Sequence, residues 1–135
     1  MDVLLEKKLN EAIWAGRSLF ERNKTAGSSA NMSFLHDGKM YISQSGSCFG
    51  TLTADQFAIM TLDGICISDN KPSKEWPLHL NIYKKKTQTG AVIHTHGTYA
   101  VLWSFVPMEN EDDCIPAHTP YLRMKLGNVC TVPYE

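Results

Sequence analysis

Apolar residues recur at helical spacing near the start of the chain. Leu5, Leu9, Ala12, Ile13, Gly16 and Phe20 fall on one stripe, with Glu6, Lys7, Asn10, Arg17 and Glu21 off it. That pattern predicts an amphipathic helix over residues 3–22. Residues 23–30 are small and polar and end it. Residues 32–35 and 39–43 read as two short strands around His36-Asp37-Gly38, because Asp-Gly between such runs is a strong hairpin signal. His36, placed at that turn, is expected to face solvent. Ser43-Gln44-Ser45-Gly46-Ser47 is a second loop, rich in hydroxyls. Thr53-Ala54-Asp55-Gln56 has the spacing of a capping box, so a short helix to residue 59 or 60 is expected. Residues 60–62 and 65–68 flank Asp63-Gly64 as a second hairpin.

A turn at residues 69–73 leads into a helix with Pro77 in its first turn, where a missing N–H costs nothing. It is expected to run to about Lys86, with Leu78, Ile82 and Tyr83 inward and three lysines at the favourable end of the dipole. Residues 91–96 read as the central, buried strand and residues 98–105 as a buried helix. Residues 109–113 form an acidic loop. Pro116 and Pro120 leave residues 115–126 open, and residues 129–132 read as a final strand.

Composition narrows the possibilities. A chain of 135 residues suits one domain over 1–135. At 43% apolar and 20% charged it reads as globular. A net charge of −1 gives no argument for nucleic acid or an anionic membrane as partner, and no apolar run approaches a membrane span. Cys48, Cys66, Cys114 and Cys130 are widely spaced with no CxxC. They read as reduced thiols of a cytoplasmic protein, buried as small hydrophobes.

The chemistry gathers around Gly90-Ala91-Val92-Ile93-His94-Thr95-His96-Gly97. Alternate strand residues share a face, so His94 and His96 project together and Thr95 turns away. Two adjacent imidazoles begin a transition-metal site. For an isolated pair the plainer reading is one buried, hydrogen-bonded histidine and one exposed. Ser73-Lys74-Glu75 and Gly27-Ser28-Ser29-Ala30-Asn31 shift the balance. Glu75 offers an acid/base carboxylate. Ser28, Ser29, Asn31, Ser45, Gly46 and Ser73 can hydrogen-bond phosphate oxygens, and Lys74 adds charge. A metal, a carboxylate and an anion cradle suit lyase chemistry on a small phosphorylated sugar or sugar acid.

The ordered motifs Ser-Ser-Ala-Asn-Met-Ser, Ser-Gln-Ser-Gly, Lys-Pro-Ser-Lys-Glu-Trp-Pro-Leu-His and Ala-Val-Ile-His-Thr-His resemble the class II aldolase/adducin-head family over the whole chain. Gly16–Phe20, Ser73–His79 and Ile115–Tyr121 are most similar to its 3-oxo-tetronate 4-phosphate decarboxylases. The resemblance implies a three-layer α/β/α sandwich around a mostly antiparallel sheet, and a homotetramer. It implies that His94 and His96 hold zinc or another divalent ion such as manganese, and that Glu75 is the catalytic acid/base. Asn31, Ser45, Gly46, Ser73 and Lys74 would bind the substrate phosphate. The implied reaction decarboxylates a 3-oxo-tetronate 4-phosphate to dihydroxyacetone phosphate and CO2 through a metal-held enediolate, with Glu75 or a water returning the proton. Tyr121 falls near a tyrosine that an aldolase relative offers from a neighbouring subunit.

Two departures qualify this. Ala30 stands where the family has glycine, which bears on backbone approach to phosphate. The family's third metal histidine would lie beyond Glu135, so the chain reads as truncated at its C-terminus. His79 and His118 are the replacements at hand; His79 is expected to pack against the sheet and His118 to sit in a loop or interface. The alternatives are a fuculose-1-phosphate type aldolase and a non-catalytic, adducin-like association module.

Overall fold

β1 (Asn31–His36), β2 (Lys39–Ser43), β3 (Phe57–Thr61) and β4 (Ala91–His94) form one antiparallel sheet, ordered β3-β2-β1-β4. The coordinates are a computed structural model that describes residues 2–116 and 118–132. Strand alternation sorts the side chains into two cores. Met32, Phe34 and Phe57 face α1 (Val3–Glu21), packed with Phe49, Leu52 and the expected stripe of Leu5, Leu9, Ala12, Ile13 and Phe20. Met40, Ile42, Ala58 and Met60 face α2 (Trp76–Lys85), against Leu80 and Tyr83. Helix, sheet and helix make the expected three layers.

Asp2 caps α1 by accepting from the backbone N–H groups of Leu4 and Leu5 at 3.0 and 3.1 Å. Gly16 lets the helix lie close to the sheet: a Cβ there would stand 3.0 Å from Met32 Cε. Beyond the helix, Asn23 adopts a left-handed conformation.

Several expectations are corrected. His36 does not face solvent. Asp37 and Gly38 alone make the turn, both at positive φ, which draws His36 into the β1–β2 ladder opposite Lys39. It is buried, and its Nε2 lies 2.6 Å from Asp2 Oδ2. The capping-box segment yields one 3-10 turn, Ala54–Gln56, not a helix to 59 or 60. Phe57 begins a β-prone run that finds a better partner in β2. The second hairpin forms in part: residues 65–68 make a single bridge, Met60 to Cys66. In α2 the inward residues are His79, Leu80 and Tyr83, while Leu78 is exposed. β4 is not central. It lies at the sheet edge beside β1, with Ala91 and Ile93 exposed. Of the cysteines, Cys114 alone is buried; Cys48 is half-buried, Cys66 and Cys130 are exposed, and all are free thiols.

Contacts divide the chain into two compact units, before and after Gly97. The second contains α3 (Thr98–Ser104), a 3-10 turn at Glu111–Asp113 and α4 (Pro120–Leu126). Trp103 Nε1 donates to the Cys114 carbonyl at 3.0 Å, and Arg123 pairs with Asp113. α3 was expected to be buried and has no buried residue; the short elements of this unit do not enclose both its faces. Residues 129–132 form no strand. They hydrogen-bond instead to the acidic turn, through Cys114 N–H to Val129 O and Thr131 N–H to Glu111 O. Among the described residues no helix is long and apolar enough to cross a membrane.

Candidate active site

Four chain segments converge at one end of the sheet in the first unit. The β2–β3 connection is tied to the segment before α2 by Ser45 N–H to Lys71 O at 2.9 Å and Ser73 N–H to Ser43 O at 3.1 Å. β1 starts beside them at Asn31, and β4 ends at His94, the register partner of Asn31. Between these segments lies a cleft of about 530 Å³. Asn31, Ser45, Gly46, Ser73, Lys74, Glu75 and His96 all line it. His94, the other histidine of the expected metal pair, is not in the wall, and its ring centroid is 4.9 Å from that of His96.

The details vary in kind. Gly46 has φ +80° with open space where a Cβ would be, so the residue type is set by backbone conformation and not by crowding. Glu75 is the N-cap residue of α2. Its N–H donates to Ser73 Oγ at 3.3 Å, and its carbonyl accepts from the Leu78 and His79 N–H groups. The carboxylate is thereby left to the cleft. Ser29 is less available than expected, because its hydroxyl donates to the Ala26 carbonyl at 2.7 Å. Ala30 brings no strain: its φ is not positive, and its methyl group is buried in the α1 core.

Burial lowers the pKa of His94 below the usual histidine value, and the neighbouring His96 lowers it further; the Glu75 carboxylate opposes both. The lowering favours the neutral imidazole, the form that binds a metal. Asn31 and His79 complete the surroundings. His79 is fully buried on α2, and its Nε2 lies 2.6 Å from Asn31 Oδ1; Asn31 Nδ2 lies 3.4 Å from His94 Nδ1. His79 was expected to pack against the sheet and does, but its polar role was missed. The signal was present in β1, where Asn31 and Ser33 put two polar side chains on the face that α2 covers. His118 lies in the second unit, exposed in a turn where its N–H donates to Pro116 O.

Two imidazoles side by side, with a carboxylate nearby, have the donor chemistry of a borderline divalent ion. As a pair of ligands His94 and His96 fit such an ion. Among the described residues no third histidine, cysteine, aspartate or glutamate joins them in one group.

The chain is similar to known proteins in sequence and in fold. Residues 10–135 match the model of the class II aldolase and adducin N-terminal domain. A 3-oxo-tetronate 4-phosphate decarboxylase of Pectobacterium atrosepticum is 38% identical over 125 residues, which is 92% of this chain and 57% of the relative. An L-fuculose phosphate aldolase of Methanocaldococcus jannaschii is 39% identical over 95 residues, covering 70% and 52%. The crystal structure of YgbL from Escherichia coli superposes with a TM-score of 0.93 at 32% identity, over 98% of this chain and 64% of that one. The chain spans about 60% of the length of such curated relatives.

Proposed function

The chain belongs to the class II aldolase and adducin N-terminal domain family, and from that premise we propose that it carries the substrate half-site of a carbon–carbon lyase that decarboxylates a 3-oxo-tetronate 4-phosphate. The observation that carries this reading is the single cleft in which Glu75, His96 and the Ser45–Gly46 and Ser73–Lys74 pairs meet. Relatives named for that activity, at 33–38% identity, support the choice of substrate.

The substrate phosphate lies against Ser45, Gly46, Ser73 and Lys74, where hydroxyls and a lysine ammonium match a dianion. Binding at that end orients the sugar-acid carbons toward Glu75 and the histidines. A divalent ion on His94 and His96, zinc or manganese, would supply electrophilic charge beside the substrate oxygens. The C1–C2 bond breaks, CO2 leaves, and the electron pair moves into the C2–C3 bond and onto the carbonyl oxygen. Glu75 then delivers a proton to C2, giving dihydroxyacetone phosphate. Glu75 stands in the cleft wall, where its carboxyl group can take the proton from water and pass it to C2.

An aldolase reading uses the same residues, with an aldehyde leaving in place of CO2, and the M. jannaschii relative favours it. The short histidine set favours a third reading, an association module without turnover. Product analysis separates the first two, and metal content addresses the third. In the test, metal per chain is measured after dialysis and turnover is followed as CO2 release. Glu75→Gln is expected to keep the ion and lose turnover by at least about 100-fold. His94→Ala is expected to lose ion and turnover together. Full ion retention by His94→Ala would refute the ligand assignment.

A further inference from the structure

Behind the cleft a line of polar side chains runs through the otherwise apolar layer between the sheet and α2. Tyr83 Oη is 2.8 Å from Ser33 Oγ, and Ser33 Oγ is 2.7 Å from His79 Nδ1. His79 Nε2 is 2.6 Å from Asn31 Oδ1, and Asn31 Nδ2 is 3.4 Å from His94 Nδ1. Tyr83, Ser33, His79 and Asn31 are all buried. None of this is needed for packing, since a leucine or phenylalanine would fill the layer without requiring partners.

The protons in this line can be counted. Asn31 Oδ1 is an acceptor only, so His79 Nε2 carries a proton and donates it. His79 is neutral at ordinary pH, because burial lowers its pKa to about 4. A neutral imidazole has one N–H, so His79 Nδ1 is bare and accepts from the Ser33 hydroxyl. With that proton committed, Tyr83 donates to Ser33. At the other end the Asn31 amide donates to His94 Nδ1, which is therefore bare, and the remaining His94 proton sits on Nε2. Each link fixes the direction of the next, and no buried side-chain nitrogen or oxygen among the described residues is left unpaired.

We propose that His79 is a positioning residue which, through the Asn31 amide, selects the nitrogen of His94 that carries its proton. His79 touches neither the cleft nor the imidazole pair; it acts by holding Asn31 Oδ1 and so turning Asn31 Nδ2 toward His94. The 3.4 Å final link is the longest in the line. An ion taken by His94 through Nε2 would need the proton on Nδ1, and Asn31 could accept that proton only if the whole line, His79 included, reversed. The line therefore opposes that mode of binding and sets which His94 nitrogen is free. This extends the lyase reading of the same cleft, and it rests on that reading for its consequence in catalysis.

The test is made on the ion-free full chain, labelled with nitrogen-15 in histidine, by long-range nitrogen–proton correlation of the His94 ring. The wild-type chain is expected to show the proton on Nε2. Asn31→Asp, nearly isosteric, offers only acceptors, and is expected to move the proton to Nδ1. His79→Phe is expected to give a mixture of both tautomers, since nothing then holds the amide. A His94 ring protonated on Nδ1 in the wild-type chain would overturn the proposal. So would a ring indifferent to Asn31→Asp, which carries the test by itself should His79→Phe not fold. Because the readout requires no ion and no substrate, a chain that binds no zinc refutes the ion assignment and leaves the tautomer result standing.

Discussion

Asn31 has one amide and three claims on it: His79, His94 and the cleft. Its strand position explains this, since the first residue of β1 borders both the cleft and the layer under α2. His79 meets the same constraint from the other side. In the unfolded chain its pKa is near 6.5, and in the folded chain burial lowers it to about 4. Between those values the unfolded state binds a proton that the folded state refuses. Stability is therefore full above pH 6.5 and falls as the pH drops toward 4. His94, also lowered by burial, tilts the same way. Urea unfolding at pH 7 and pH 5 is expected to show a lower midpoint at pH 5. His79→Gln can still donate to Asn31 but cannot titrate, so it should shrink that difference. An equal or larger difference in His79→Gln would reject this account.

At the scale of elements, α1 and the strands were legible because each carries its own period: a 3.6-residue stripe, and apolar runs broken at Asp37-Gly38. Their contacts were not. The Phe20 ring near the end of α1 lies against Gly50, where a Cβ would stand 2.6 Å from Phe20 Cδ1. Gly50→Ala must displace that ring or the backbone, at about 1–3 kcal/mol. Chemical denaturation of the variant measures this, and an unchanged midpoint would show that the ring moves freely. The misreadings share a cause. His36 was assigned to a turn because three residues separate the two apolar runs, yet a tight turn needs only two. β4 was taken as central because it is apolar, but neighbours in the sheet are decided by chain partners far away in sequence. The cleft itself was legible as a list of residues, since hydroxyls, glycine, lysine and glutamate announce their chemistry. The line from Tyr83 to His94 was not, because its members are scattered between Asn31 and His94 and meet only when α2 packs on the sheet.

At the scale of the whole molecule, the two units differ in how they bury their apolar residues. The first encloses its core between two helices and a sheet. The second exposes Tyr99, Phe105, Tyr121, Met124, Leu126 and Val132, each by 63% or more of its surface. A scattered apolar residue needs no explanation, but this many within residues 98–132 exceed what a monomer usually leaves in water. Hydrophobic burial scales with the area removed from water, so covering this surface would lower the free energy of the chain. We propose that the chain is oligomeric, with the homotetramer implied by its family resemblance as the specific form. Sedimentation equilibrium is expected to give a mass well above the 15.1 kDa of one chain. Tyr121→Glu and Met124→Glu, placed on the exposed surface of α4, should shift that mass downward without lowering the helix content of the first unit. A single 15.1 kDa species across a wide concentration range would refute association. An oligomer indifferent to both substitutions would move the interface away from α4, to surfaces such as the exposed edge of β4, whose Ile93 is half open to solvent.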